Sequence, residues 1–330
     1  MSIRLGFLTH VQGRGGDLAQ TYRDAQDLFV VADELGFDVG WVAQHHVPLG
    51  GGGLPSPWTF LAHAAARTKR IRLGTAITIL PLEDPIRLAE DISVVDTLSG
   101  GRVEVGVGSG GSDAEYAAFG RDVTRRRELT TEGLAVLRAA LSNEEVGTSG
   151  FTIQPPAGDF TSRIWQGIFS GAGAEHAARA GSNLLINRAA YGYEEPTDEV
   201  QRPWADAYLA AWDSPRTPRI GLSRFVYPAK DRRTALAQIG EDLHQAALRF
   251  PGFPAGLDVD EALRRFHSFY GHPDEIVAEL RRELVLPVAT DLITQFNPAV
   301  PDHDATIRAL ELIATEVAPA LGWKPSSEGA

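Results

Sequence analysis

The sequence predicts an α/β chain folded as a closed (β/α)8 barrel with insertions, read as one domain over residues 1–330. Three observations carry this reading. About eight short apolar runs rich in β-branched residues recur along the chain, and nearly every run is followed by a segment of helical period. Glycines or helix-capping pairs stand where the runs end, as strand-to-helix turns require. Alternation sustained over 330 residues favours a closed barrel over an open sheet.

In order, Ile3 to Thr9 reads as a buried strand, and a helix begins near Asp17. Tyr22, Ala25, Phe29, Ala32 and Leu35 share one helical stripe, and Gly36 stops it. Asp38 to Gln44 is the second strand, ending in His45-His46, with a glycine loop at 50–53. Ser56-Pro57 sets a capping hydroxyl before a first-turn proline and opens a helix to Thr68. Arg72 to Leu80 is the third strand; Asp84-Pro85 repeats the cap and proline, and the helix Ile86 to Leu98 stops at Gly100-Gly101.

Glu104 to Val107 is the fourth strand, followed by the glycine loop Gly108 to Ser112, a short helix over Asp113 to Phe119, and a helix ending at Leu141. A short hairpin is expected at Phe151 to Gln154. Ile164 to Phe169 is the fifth strand, Ser170 to Gly173 a second glycine loop, and Glu175 to Ala180 a helix. Asn183 to Arg188 is the sixth strand, and Ala189 to Arg202 reads as an insertion or lid before the helix Trp204 to Trp212. Ile220 to Tyr227 is the seventh, with its helix over Arg233 to Arg249. Phe250 to Gly271 is a looser excursion with a helical turn or two, and His272-Pro273 starts a helix to Arg282. Asp291 to Phe296 is the eighth strand, and a helix over Ala305 to Leu321 closes the fold. The insertions fall near 147–160, 189–217 and 250–271.

A composition of 43% hydrophobic and 22% charged residues supplies enough apolar surface for a large core. The net charge of −12 argues against a nucleic-acid partner, because a polyanion rewards a basic face. With no cysteine there is no disulfide, no thiolate metal site and no cysteine nucleophile. The apolar run at Met1 to His10 is too short for a signal core or a membrane span, so a cytoplasmic protein without membrane contact is expected.

In a barrel the chemistry sits where strands end, which singles out His10, His45, Thr75 to Leu80, Gly108 to Ser112, Ser170 to Gly173, Arg188, Arg224 and Gln295. Gly106, Gly108 and Gly111 satisfy G-x-G-x-x-G, but the acidic strand end expected roughly 20 residues on falls instead in the helical Arg125 to Glu128. A dinucleotide site is therefore disfavoured. Adjacent residues on a strand point oppositely, so at most one of His45 and His46 faces the barrel mouth, and no ligand set for a metal follows. His45 reads as a proton donor or acceptor or as a hydrogen-bonded structural residue. The two strand–glycine–helix turns at Gly108 and Ser170 read as seats for one phosphate, or as plain turns. Arg188 and Arg224 read as pairs for barrel carboxylates or as recognisers of an anionic or carbonyl substrate.

Longer stretches sharpen this. Gly40-Trp41-Val42-Ala43-Gln44-His45-His46, Ile71-Arg72-Leu73-Gly74-Thr75-Ala76, Pro81-Leu82-Glu83-Asp84-Pro85, Asp96-Thr97-Leu98-Ser99-Gly100-Gly101-Arg102 and Gly106-Val107-Gly108-Ser109-Gly110 together resemble the luciferase-like flavin monooxygenases. Glu115 to Gly120, Ser170 to Glu175 and Gly271-His272-Pro273-Asp274-Glu275 extend the similarity over nearly the whole chain.

The resemblance implies a TIM barrel holding reduced FMN at the strand C-termini. It places His45 beside flavin and substrate, Thr75-Ala76 at a strand-three bulge, often with a non-proline cis bond, under the isoalloxazine, and Gly108, Ser109, Gly110, Ser170 and Gly171 around ribityl and phosphate. His10, Arg188 and Arg224 are left for the substrate. The implied chemistry is a two-component monooxygenase, with a separate NAD(P)H:flavin reductase, dioxygen adding at flavin C4a and a small organic substrate; a homodimer is the expected assembly. F420-dependent hydride transfer and a non-catalytic flavin-binding protein are the alternatives. Two departures stand out: Gln44 where bacterial luciferase has Glu, and Ser109 where that enzyme turns an arginine toward the phosphate.

Overall fold

The computed structural model describes residues 3–47, 53–148, 150–250, 253–254 and 256–325; most of the expected glycine loop at 50–53 lies outside them. In chain order the strands are β1 (Arg4–Thr9), β2 (Val39–Val42), β3 (Arg72–Thr75), β4 (Thr78–Ile79), β5 (Val103–Gly108), β6 (Ile164–Ile168), β7 (Asn183–Ile186), β8 (Ile220–Pro228), β9 (Ser268–Gly271) and β10 (Asp291–Gln295). The larger helices are α1 (Leu18–Glu34), α2 (Pro57–Arg67), α3 (Pro85–Ser99), α4 (Asp113–Ala118), α5 (Arg126–Leu141), α6 (Gly171–Arg179), α7 (Thr197–Ala211), α8 (Arg232–Arg249), α9 (Val259–Arg265), α10 (Pro273–Leu280) and α11 (His303–Leu312).

Among the described residues all pairings between these strands are parallel, and the sheet closes: β10 pairs with β8 on one side and with β1 on the other, Leu5 standing opposite Leu292. The expected (β/α)8 barrel is thus the observed fold. Its strands are covered on both faces, which explains why β2, β5 and β8 are buried along their whole length. Leu8, Trp41, Trp165, Leu185 and Ile293 fill the barrel interior. Trp41 and Trp165 meet edge to face with centroids 5.5 Å apart. Gly74 makes room for them, since a Cβ there would lie 2.4 Å from the Trp41 ring.

An ionic cluster closes the end where the strands begin. Glu104, 1% exposed, accepts from Arg72 Nε at 2.7 Å and from Trp165 Nε1 at 2.7 Å. Arg219 lies 3.5 Å from Glu104 and 2.7 Å from Asp291. With that end filled by charge pairs, the opposite end is the one open to chemistry.

The structure corrects the expected elements in six places. The third strand is not continuous: β3 and β4 both pair with β5, separated by a cis peptide between Ala76 and Ile77. That bond is one residue beyond the expected Thr75-Ala76. The chain folds in at Thr75 because Gly106 lies opposite, where a Cβ would sit 1.9 Å from the Thr75 carbonyl oxygen. The second glycine loop is already helix: α6 starts at Gly171, with Ser170 Oγ accepting from Gly173 N at 3.2 Å. The expected lid is shorter, because α7 takes up its residues from Thr197 onward. The excursion before Gly271 carries α9 and the added strand β9, which pairs Ser268 with Phe225. The hairpin near Phe151 reduces to one bridge with Val146. Of the caps, Asp84 accepts from Ile86 N and Arg87 N as expected, but Ser56 Oγ meets Thr59 Oγ1 instead of a backbone N–H.

Candidate active site

β1 and β2 are adjacent and parallel, so the residues that follow them emerge side by side. His10 Nδ1 and His45 Nε2 are 3.2 Å apart, with the rings nearly parallel at 22°. His46 turns the other way, as strand alternation requires: its ring packs on Phe119 at 4.5 Å. Both ring systems of the pair resist protonation. Burial, the neighbouring His45 and the Arg188 guanidinium hold His10 well below the usual histidine range, offset in part by the Gln295 side chain. Burial lowers His45 as well, while the Glu115 carboxylate acts in the opposite sense.

Gln295 also orders the protons. Its Nε2 donates to Ser223 Oγ at 2.5 Å, which leaves the buried Oε1 without a hydrogen-bond partner among the described residues and available to His10. If His10 donates through Nε2 to that oxygen, its Nδ1 accepts from His45 Nε2, and His45 Nδ1 is left with the lone pair.

Gln44 and Glu115 hold this geometry. Gln44 Nε2 donates to Glu83 Oε1 at 2.6 Å and to Pro55 O at 3.1 Å, while Oε1 accepts from Ile79 N at 2.6 Å. Its backbone N donates to Ile77 O at 3.2 Å, so one residue brackets the cis Ala76–Ile77 segment. The buried Glu115 of α4 accepts from His46 N at 2.7 Å and Val47 N at 3.2 Å, fixing the chain just after His45. Neither emerged as a functional residue from the sequence. Their signal was an uncharged amide next to the histidines and a carboxylate inside an otherwise ordinary short helix.

The two glycine-rich turns follow β5 and β6, which pair through Val107 and Gln166. They therefore open side by side at the same end of the barrel. Tyr116 OH donates to Ser109 O at 2.6 Å and holds the first turn. The backbone N–H groups of Gly110, Gly111, Gly171 and Ala172 have no partner among the described residues, and a Cβ on Gly111 would meet nothing within 4 Å. Unpaired amides beside open space suit a phosphate, and those of Gly171 and Ala172 carry the positive end of the α6 dipole. The Arg126 charge acts on Tyr116, the residue that holds this turn at Ser109 O.

Other expected site residues are placed differently. Thr75 is fully buried, with its hydroxyl donating to Gly106 O at 2.7 Å and accepting from Gly106 N at 3.1 Å, so its hydroxyl shapes the bulge. Ala76 is half-buried at the mouth. Arg224 points outward from its strand; fully buried, it pairs with Glu283 and donates to Ser223 O, on the side of the strand away from the barrel interior. Its Nη1 also donates to Asn187 O at 3.3 Å, so the partners of this guanidinium come from the fold itself. Arg188 is at the mouth, donating to Tyr191 OH at 2.7 Å and Asn297 Oδ1 at 2.8 Å. A cavity of about 200 Å³ lies beside His10, between α1 and α11. Among the described residues no group of His, Asp or Glu is arranged to hold a metal ion, and no helix is long and apolar enough to cross a membrane.

The arrangement is that of a (β/α)8 barrel with a histidine pair and two turns of unpaired amides gathered at the strand C-termini. The chain belongs to the luciferase-like monooxygenases, a family of oxidoreductases, whose family model matches residues 1–296. It is 39% identical over 314 residues to 4-hydroxyprotoasukamycin monooxygenase of Streptomyces nodosus subsp. asukaensis, covering 87% of this chain and 83% of that one. The crystal structure of monooxygenase RslO1 from Streptomyces bottropensis superposes with a TM-score of 0.79 at 26% identity, covering 97% of this chain and 100% of the other. Against two uncharacterized proteins of Sinorhizobium fredii, 33% and 38% identical, the matches span 52% and 35% of those proteins' own length.

Proposed function

We propose that this protein is the oxygenating component of a two-component, FMN-dependent monooxygenase. A separate NAD(P)H:flavin reductase supplies reduced FMN, and dioxygen and a small organic substrate are the other reactants. The observation that carries the reading is the shared mouth: the His10–His45 pair and two adjacent turns with unpaired amides stand at the same ends of neighbouring strands. FMN, when bound, supplies the electrons that activate dioxygen.

The protein's own contribution is binding, orientation and proton control. Gly110, Gly111, Gly171 and Ala172 hold the phosphate through backbone N–H groups, with Gly108, Ser109 and Ser170 shaping the two turns. Ala76 and Ile77 form the floor for the ring system. His45 exchanges a proton at Nδ1, and His10 and Gln295 keep that atom unprotonated between turnovers. Arg188 orients the substrate. Residues 189–196, which follow Arg188, help keep water out of the mouth.

A homodimer fits the exposed Val94 and Leu98, one turn apart on α3 at 40% and 67% exposure. The test is anaerobic titration with reduced FMN and, separately, reduced F420, followed by an oxygen pulse. Tight binding of reduced FMN, with oxidised-flavin absorbance returning faster in His45→Ala than in wild type, supports the reading. Binding of F420 alone would move the protein to hydride transfer, and binding of neither would end the proposal.

A further inference from the structure

We propose that Arg188 is the anchor for a small organic anion, so that the substrates of this site carry a carboxylate or a delocalised oxyanion such as an enolate or phenolate. The proposal rests on the reading of the barrel mouth given above. Two arginines are buried among the described residues, Arg224 and Arg188, and they are treated differently. Arg224 has the Glu283 carboxylate against it. Arg188, 7% exposed, has only neutral acceptors, the Tyr191 hydroxyl on Nε and the Asn297 amide oxygen on Nη1. Its Nη2 has no partner among the described residues.

A purely structural cation is expected to use up its donors. Arg102 does so, donating to the carbonyls of Ala65, Thr68, Ile71 and Ser99 and to the Thr68 hydroxyl. Arg188 instead keeps one edge open while its other donors are pinned. Asn297 Nδ2 donates to Gln12 Oε1 at 2.6 Å, which holds its oxygen toward Arg188. The guanidinium also lies 5.3 Å from the Phe266 ring and 5.8 Å from Tyr191, contacts that steady its plane and offset part of its charge. A buried cation without a carboxylate is costly, and the cost is recovered when an anion arrives. Planar, bidentate recognition of a carboxylate is what an open guanidinium edge provides. The position suits the reaction, because Arg188 follows β7 and its charge is felt at His10.

The test is calorimetric titration of wild type, Arg188→Gln, Arg188→Lys and Tyr191→Phe with benzoate and with its neutral, equally shaped partner benzamide, with FMN binding measured alongside. Benzoate is expected to bind wild type about tenfold or more tightly than benzamide, a preference lost in Arg188→Gln, reduced in Arg188→Lys and kept in Tyr191→Phe, whose guanidinium remains. FMN affinity stays unchanged throughout, which separates this result from failure of the flavin reading. Equal binding of the two probes, no binding of either, or a preference surviving in Arg188→Gln overturns the proposal. So does a loss of FMN affinity in Arg188→Gln with the benzoate preference intact, since the anion would then belong to the flavin.

Discussion

His10 Nδ1 stands 3.2 Å from His45 Nε2, a contact made across the ends of two adjacent strands and not along either one. At that separation a single N–H lies between the rings, so the tautomer of one sets the tautomer of the other. With burial and Arg188 opposing a positive charge on His10, the pair works as neutral imidazoles.

Removing the outer member tests that role. His45→Ala is expected to lower substrate oxygenation by about 10²- to 10⁴-fold, the usual size of a general acid–base contribution, with FMN affinity nearly unchanged. Product formation at saturating reduced flavin measures it. Because His45 is held below the ordinary range, the wild-type acidic limb should lie at lower pH than a free histidine would set.

The coupling has a spectroscopic signature. His45 is one of the groups that keep His10 from taking up a proton, so His45→Gln should move the His10 titration upward toward the usual histidine range. Gln295→Leu removes the polar side chain acting in the other direction and should move it further down. Imidazole C–H resonances followed against pH record both; a His10 titration that ignores the two changes would separate the rings functionally.

Gln44 bears on stability more than on chemistry. Gln44→Ala leaves Ile79 N and the Glu83 carboxylate without this partner in a buried setting, a loss of about 1–3 kcal/mol in unfolding free energy by urea titration. Gln44→Glu sets a second carboxylate where the amide meets Glu83 at 2.6 Å, so its destabilisation should grow as pH rises and both acids ionise.

Breaking the Arg224–Glu283 pair should be more severe. Glu283→Ala strands a fully buried guanidinium and removes the acceptor of Val285 N and Leu286 N, for a loss of about 3–5 kcal/mol. FMN binding by the folded fraction should match wild type, because this pair lies in the helix layer.

His267 contributes an acid sensitivity. Burial, with the nearby Arg224 charge, pushes it down from 6.5 to about 3. Between those values the unfolded chain binds the additional proton, so stability rises with pH across that window and falls as pH drops through it. His267 has φ +50, a conformation asparagine also accepts, and His267→Asn should flatten the dependence of the urea midpoint between neutral pH and pH about 4. An unchanged slope would assign the acid sensitivity to other groups.

Much of the fold was legible because local rules and the tertiary structure agree. Runs such as Ile220 to Tyr227 are apolar enough to be covered on both faces, and Asp84-Pro85 marks a helix start in any context. The short Ser268–Gly271 strand escaped, since four residues carry too little pattern to stand apart from a loop. The break between β3 and β4 escaped as well. Arg72 to Leu80 is a good strand by composition, and only the absence of a side chain at Gly106, on the next strand, lets Thr75 fold inward.

The site divides along the same line. Residue order alone placed His10, His45, the two glycine turns, Arg188 and Arg224 at or near strand ends, because strand periodicity and turn chemistry are properties of neighbours in sequence. Which of them meet was decided by closure of the barrel. Closure set His45 against His10, turned Arg224 outward to Glu283, buried the Thr75 hydroxyl on Gly106, and left Arg188 with neutral partners. Partner, burial and charge environment depend on chain segments tens to hundreds of residues away, and a local pattern carries no record of them.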